Sequence, residues 1–88
     1  MHFQYDPRKA AANSKKHGVS FADAEGVFFD PLAIHQTDPD IADEERFIGL
    51  GMGSTGQLLV VVYTLRGENI RLISARRATR KEVKNYET

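Results

Sequence analysis

A chain of 88 residues with no cysteine and a formal net charge of zero has room for one domain and one modest core, and for no disulfide or thiolate metal site. Its 41% apolar and 27% charged residues suit an ordinary soluble globular protein, and no apolar run approaches the ~18 residues of a membrane span. The opening MHFQYDPRKA holds no apolar signal core, so the expected location is the cytoplasm.

Phe3 and Tyr5 alternate with polar neighbours and predict a short first strand. Asp6-Pro7 starts a helix that runs through Lys9–Lys16, and Gly18 stops it. Ser20–Asp23 reads as a capping box opening a second helix, with Phe21, Ala24, Val27 and Phe28 at helical spacing and Asp30-Pro31 at its end. Leu32–Thr37 is a candidate strand, Asp38–Asp43 an acidic loop, and Arg46–Gly51 another strand. After the turn Gly53–Gly56, the run Leu58–Leu65 is apolar on both faces and is the best central strand. Arg66–Asn69 is a hairpin turn and Ile70–Arg76 the last strand. A capping box at Thr79–Glu82 opens a final helix that reaches Tyr86. The order β-α-α-β-β-β-β-α predicts a single α+β domain over residues 1–88, without repeats or linkers.

The charges are unevenly spread. Residues 23–45 hold eight acids and no Lys or Arg, whereas residues 66–84 hold seven bases against two acids. Such a distribution gives a neutral chain a basic face for an anionic partner, unless the charges interleave in space.

The run DPRKAAANSKKHGVSFADAEGVFFDP (Asp6–Pro31), then EERFIGLG (Glu44–Gly51), LLVVVYT (Leu58–Thr64) and IRLISARRATRKEVKNYE (Ile70–Glu87), resembles the BrnT toxin family, with KHGVSF and ISARRAT the most specific pieces. The resemblance implies a RelE-like toxin of a type II toxin–antitoxin system, with a small curved antiparallel sheet packed against helices. It implies a ribonuclease that inhibits translation, neutralised by a BrnA antitoxin carrying a ribbon-helix-helix region. Operator DNA would then be reached through the antitoxin, in a homo- or hetero-oligomeric assembly.

Metal-free RNA cleavage uses the 2′-hydroxyl as nucleophile. It needs a proton acceptor, a proton donor for the leaving 5′-oxygen, and cations around the phosphate. Arginine suits the last task, because its planar fork holds two phosphate oxygens. Strict alternation in the last strand puts Ile70, Leu72, Ser74 and Arg76 on one face and Arg71, Ile73, Ala75 and Arg77 on the other, unless a twist or bulge redirects Arg76. Arg76, which ends the ISAR motif, is the first choice for the site; its structural alternative is a pair with Asp30, Glu45 or a helix-end carbonyl. Arg71 suits phosphate or a cross-strand carboxylate equally well. Arg46, in the EERF segment, is a site candidate or an edge-strand charge.

Proton transfer falls to Glu45 or His17. A salt-bridged Glu45 is a weak base, and His17 in a last helical turn is explained by the helix dipole alone. Arg66, Arg77, Arg80 and Lys81 predict an RNA-facing surface, and Tyr63 a proton donor, a stacking residue or a half-buried strand position. His2 and His35 lack metal-ligand spacing, so no metal and no cofactor is expected. Two other classes remain: a toxin-fold module that only binds its partner, and a gyrase-poisoning toxin of the same fold.

Overall fold

The computed structural model describes residues 1–40 and 45–88. Five strands form one open mixed sheet in the order β1-β5-β4-β3-β2: β1 (His2–Gln4), β2 (Ile34–Thr37), β3 (Phe47–Met52), β4 (Leu58–Arg66) and β5 (Asn69–Arg77). Strands β2 to β5 form an antiparallel meander, and β1 joins the edge of β5 in parallel. Helices α1 (Pro7–His17) and α2 (Phe21–Ala24) pack toward one face, and α3 (Arg80–Glu87) crosses the other. This is the α+β architecture that the sequence predicts. Ile41, Ala42 and Asp43 of the acidic loop, and Glu44 after it, lie outside the described residues. No helix among the described residues is long and apolar enough to cross a membrane.

Local chemistry sets the helix ends. The Asp6 carboxylate accepts from the Arg8 amide at 2.8 Å, Pro7 fills the first turn, and Gly18 ends α1 with φ of 69°. The inward stripe of α1 is narrow: Ala10, Asn13 and His17. Asn13 is buried, and its amide bonds both the N–H (3.0 Å) and the C=O (2.9 Å) of Ala75, and also the Val19 carbonyl (3.0 Å). The side chain thus continues the sheet where β1 stops, satisfying the free edge of β5.

The second helix is shorter than its periodicity suggests. It gives way after Ala24 to a 3₁₀ turn, Glu25–Phe29. Gly26 there lies so close to the 53–56 turn that a Cβ would stand 2.4 Å from the Ser54 nitrogen. The buried Asp23 fixes the same turn, accepting from the Thr55 amide at 2.7 Å and its hydroxyl at 2.9 Å. Val27 and Ala24 then reach a core shared with Val19, Phe21, Leu59, Val61, Tyr63, Ile70, Leu72 and Ala75. Each large side chain buried there stabilises the fold by about 1.5–3 kcal/mol.

One irregularity decides which face the β5 arginines take. Tyr63 pairs with Leu72 but Val62 pairs with Ser74, so Ile73 is an extra residue in β5. This β-bulge reverses the alternation beyond it. Ile70, Leu72 and Ala75 are buried on the helix-side face, while Arg71, Ser74 and Arg76 turn to the opposite one. Strict alternation had separated Arg71 from Arg76; the bulge reunites them.

Candidate functional site

The face opposite the core is built from cross-strand rows. Ile34, Leu50, Val60 and Arg76 form one row, and Gln36, Ile48, Val62 and Ser74 the next. Thr64, Arg71 and Gln4 stand side by side in the third. Arg46 precedes Phe47, whose partner is Tyr63, so Arg46 extends this row on the far side of Thr64. Two strand spacings put the Arg46 and Arg71 backbones about 10 Å apart, within reach of one anion between them.

That row holds the unmet polar chemistry of the described residues. The Arg46 Nε and the Thr64 Oγ1 are buried side-chain atoms with no hydrogen-bond partner. Thr64 is 2% exposed. Leaving such a group unsatisfied costs about 1–3 kcal/mol, and a buried orphan in a native fold points to a ligand, water or catalytic task. A guanidinium N–H and a hydroxyl both donate to a phosphate oxygen.

Arg76 is differently placed. Its fork meets the Glu82 carboxylate with two bonds of 2.8 and 2.9 Å. Glu82 also accepts from the Thr79 amide at 2.8 Å, so one carboxylate closes the capping box of α3 and ties that helix to β5. These bonds, the Arg76 fork first, push the Glu82 carboxyl down to about 2 and raise Arg76 above its ordinary value. Asp30, Glu45 and a helix-end carbonyl were the partners expected for Arg76; Glu82 is the actual carboxylate, joined by the Arg77 carbonyl at 3.2 Å. The far end of α3 is tied by the Tyr86 hydroxyl, which donates to Asp30 at 2.6 Å and helps hold that carboxyl below its usual range. Helix α3 has no fully buried residue. Polar bonds of Glu82 and Tyr86 tie it at both ends.

The other candidates scatter. Arg66 is exposed at the β4–β5 hairpin, whose Gly67 has φ of 61°. Arg77 is exposed and donates to the Gln57 side chain at 3.3 Å. Arg80 and Lys81 lie exposed on the first turn of α3. Glu45 is exposed ahead of β3. His17 belongs to the inward stripe of α1, in the layer behind the sheet, and is not brought to the arginine row.

Tyr63 does not offer a stacking platform. It is 6% exposed on the core face, its ring stacked on Phe47 and edge-on to Phe28. Its hydroxyl lies 2.8 Å from the His35 Nδ1 and donates to it when the proton is on Nε2. Burial pushes the phenol up and the imidazole down, which favours the neutral pair. A run apolar on both faces could not reveal which side Tyr63 takes.

One residue gains from the fold. His2 pairs with Asn69 on the same face as Gln4, beside the Arg71 row, and is exposed. Sequence reasoning weighed it only as a metal ligand. The alternation of His2 and Gln4 around Phe3 was the available signal, but the parallel pairing with β5 was not.

Comparison with known proteins bears on the fold and the family. A sequence profile described as the ribonuclease toxin BrnT of type II toxin–antitoxin systems matches residues 5–82. No curated protein sequence matches the chain. Among solved structures, the 1.1 Å crystal structure of the Brucella abortus ribonuclease toxin BrnT superimposes with a TM-score of 0.67 at 28% identity, covering 91% of this chain and 99% of that one. The fold, the motifs and the profile together make this chain a member of the BrnT family of ribonuclease toxins of type II toxin–antitoxin systems.

Proposed function

We propose that the open sheet face cleaves RNA without a metal ion, with the scissile phosphate seated over Thr64 between Arg46 and Arg71. The observation that carries this reading is the pair of orphaned donors, Arg46 Nε and Thr64 Oγ1, in one row with a second arginine. The arginines neutralise the phosphate as the 2′-hydroxyl attacks, and their donors strengthen as charge builds on its oxygens. His2, exposed beside the Arg71 row, and Glu45, next to Arg46 in sequence, are the candidates for proton transfer. Arg76, held by Glu82, borders the site, and the exposed Arg66, Arg77, Arg80 and Lys81, scattered around it, add salt-sensitive contacts to the RNA backbone.

In the cell this activity would inhibit translation in the cytoplasm, as a RelE-like toxin. A BrnA-like ribbon-helix-helix antitoxin would neutralise it and bring the pair to operator DNA. The arginine row favours an inhibitor rich in carboxylates. The test uses antitoxin-free protein, a long defined RNA and EDTA, with Arg46→Ala and Arg76→Ala run beside the wild type and checked by circular dichroism. The expected result is cleavage by the wild type, near-complete loss in Arg46→Ala and a smaller loss in Arg76→Ala. Equal cleavage by all three would remove the arginine site, and none by the wild type would favour the partner-binding module or a gyrase poison.

A further inference from the structure

Between α3 and the arginine row lies a cavity of about 160 Å³. Its floor is aliphatic: Ile34, Ile48, Leu50 and Val60, from three adjacent strands. Its polar rim is Gln36 on β2 and Glu82 and Asn85 on α3. Glu82 is committed to Arg76 and to the Thr79 amide. The side-chain amides of Gln36 and Asn85 make no hydrogen bond among the described residues, and both residues are exposed.

We infer that this cavity receives one unpaired nucleobase of the RNA and reads its edge with the Gln36 and Asn85 amides. The inference rests on the ribonuclease reading above and names the substrate class: single-stranded RNA with a base preference beside the cut. Three features support it. Ile48 follows Arg46 by two residues, so the cavity floor begins about 7 Å along the strand from the arginine row. That is the scale of the step from a phosphate to the base of its own nucleotide. An aliphatic floor takes the flat apolar face of a base, and duplex RNA offers no free face to fill it. An amide donates and accepts side by side, the pattern needed to pair with a base edge. The bulge and the capping box serve the same geometry. The first turns Arg76 toward α3, and the second fixes the helix that carries Asn85.

The test uses four uncleavable 2′-deoxy trinucleotides, each of a single base, titrated into the full chain at fixed salt and followed by the methyl NMR signals of Ile48, Leu50 and Val60. The expected result is that these methyls shift, and that the best and worst bases differ by roughly tenfold in affinity. Gln36→Ala and Asn85→Ala, both at exposed positions, are expected to shrink that ratio to about threefold or less, while Arg46→Ala weakens all four alike. Equal affinity for the four in the wild type, methyls that do not respond, or an undiminished ratio in both amide variants would overturn the inference. Discrimination without any RNA cleavage supports the base site and removes the ribonuclease reading. Cleavage with equal binding of all four bases does the reverse.

Discussion

On the helix-side face, buried polar groups are met. The Asn13 amide bonds three backbone groups, and the Asp23 carboxylate takes both donors of Thr55. On the opposite face, Arg46 Nε and Thr64 Oγ1 are buried and unmet. The same five strands build both faces, so the contrast does not come from the architecture. One face spends its polar groups on holding the chain together; on the other, in the proposed reading, the unmet donors meet the substrate phosphate.

Substitutions that exchange the two behaviours test this contrast. The largest effect is expected from Asn13→Ala, which strands three backbone groups and should cost about 3 kcal/mol of stability by urea unfolding. The matching change on the open face, Thr64→Val, is near-isosteric and removes an orphan. It should raise stability by about 1 kcal/mol while weakening phosphate binding and cleavage. If Thr64→Val destabilised the protein as Asn13→Ala does, the contrast between the faces would collapse.

A third expectation concerns the Arg76–Glu82 tie. The Glu82 carboxyl is depressed from 4.5 to about 2, so its contribution is present above the unfolded value and is lost as pH falls from about 4.5 through 2. After solvent screening this is worth about 1 kcal/mol. Glu82→Gln should flatten that part of the acid unfolding curve. The smallest effect belongs to His35, whose imidazole is lowered by burial. Its contribution is complete above about pH 6.5 and declines as the ring protonates on acidification. His35→Asn should remove this shallow slope from thermal melts recorded between pH 7 and 5.

Much of the architecture was legible in short signals: Asp6-Pro7 and Gly18 around α1, Ser20 before α2, the Thr79 capping box, and the apolar run of β4. These are local effects and need only neighbours in sequence. The site was less legible because it depends on pairings across the chain. The arginines of β5 were visible, but strict alternation splits Arg71 from Arg76, and only the register with β4 exposes the extra residue Ile73. The 3₁₀ turn brings Gly26 against Ser54, a contact no periodicity encodes. Glu82 was read as a capping residue and is one, yet its second bond to Arg76 depends on where the bulge aims β5.

The parallel seam between β1 and β5 has a consequence for synthesis. Residues 2–4 find their partners at 69–71, so β1 waits for the last strand of the sheet. During vectorial synthesis β1 has nothing to pair with until β5 has left the ribosome. His2 and Gln4 therefore join the arginine row only once β5 is available. A nascent chain that carries Arg46 but not yet Arg71 has not yet assembled the arginine row of the open face.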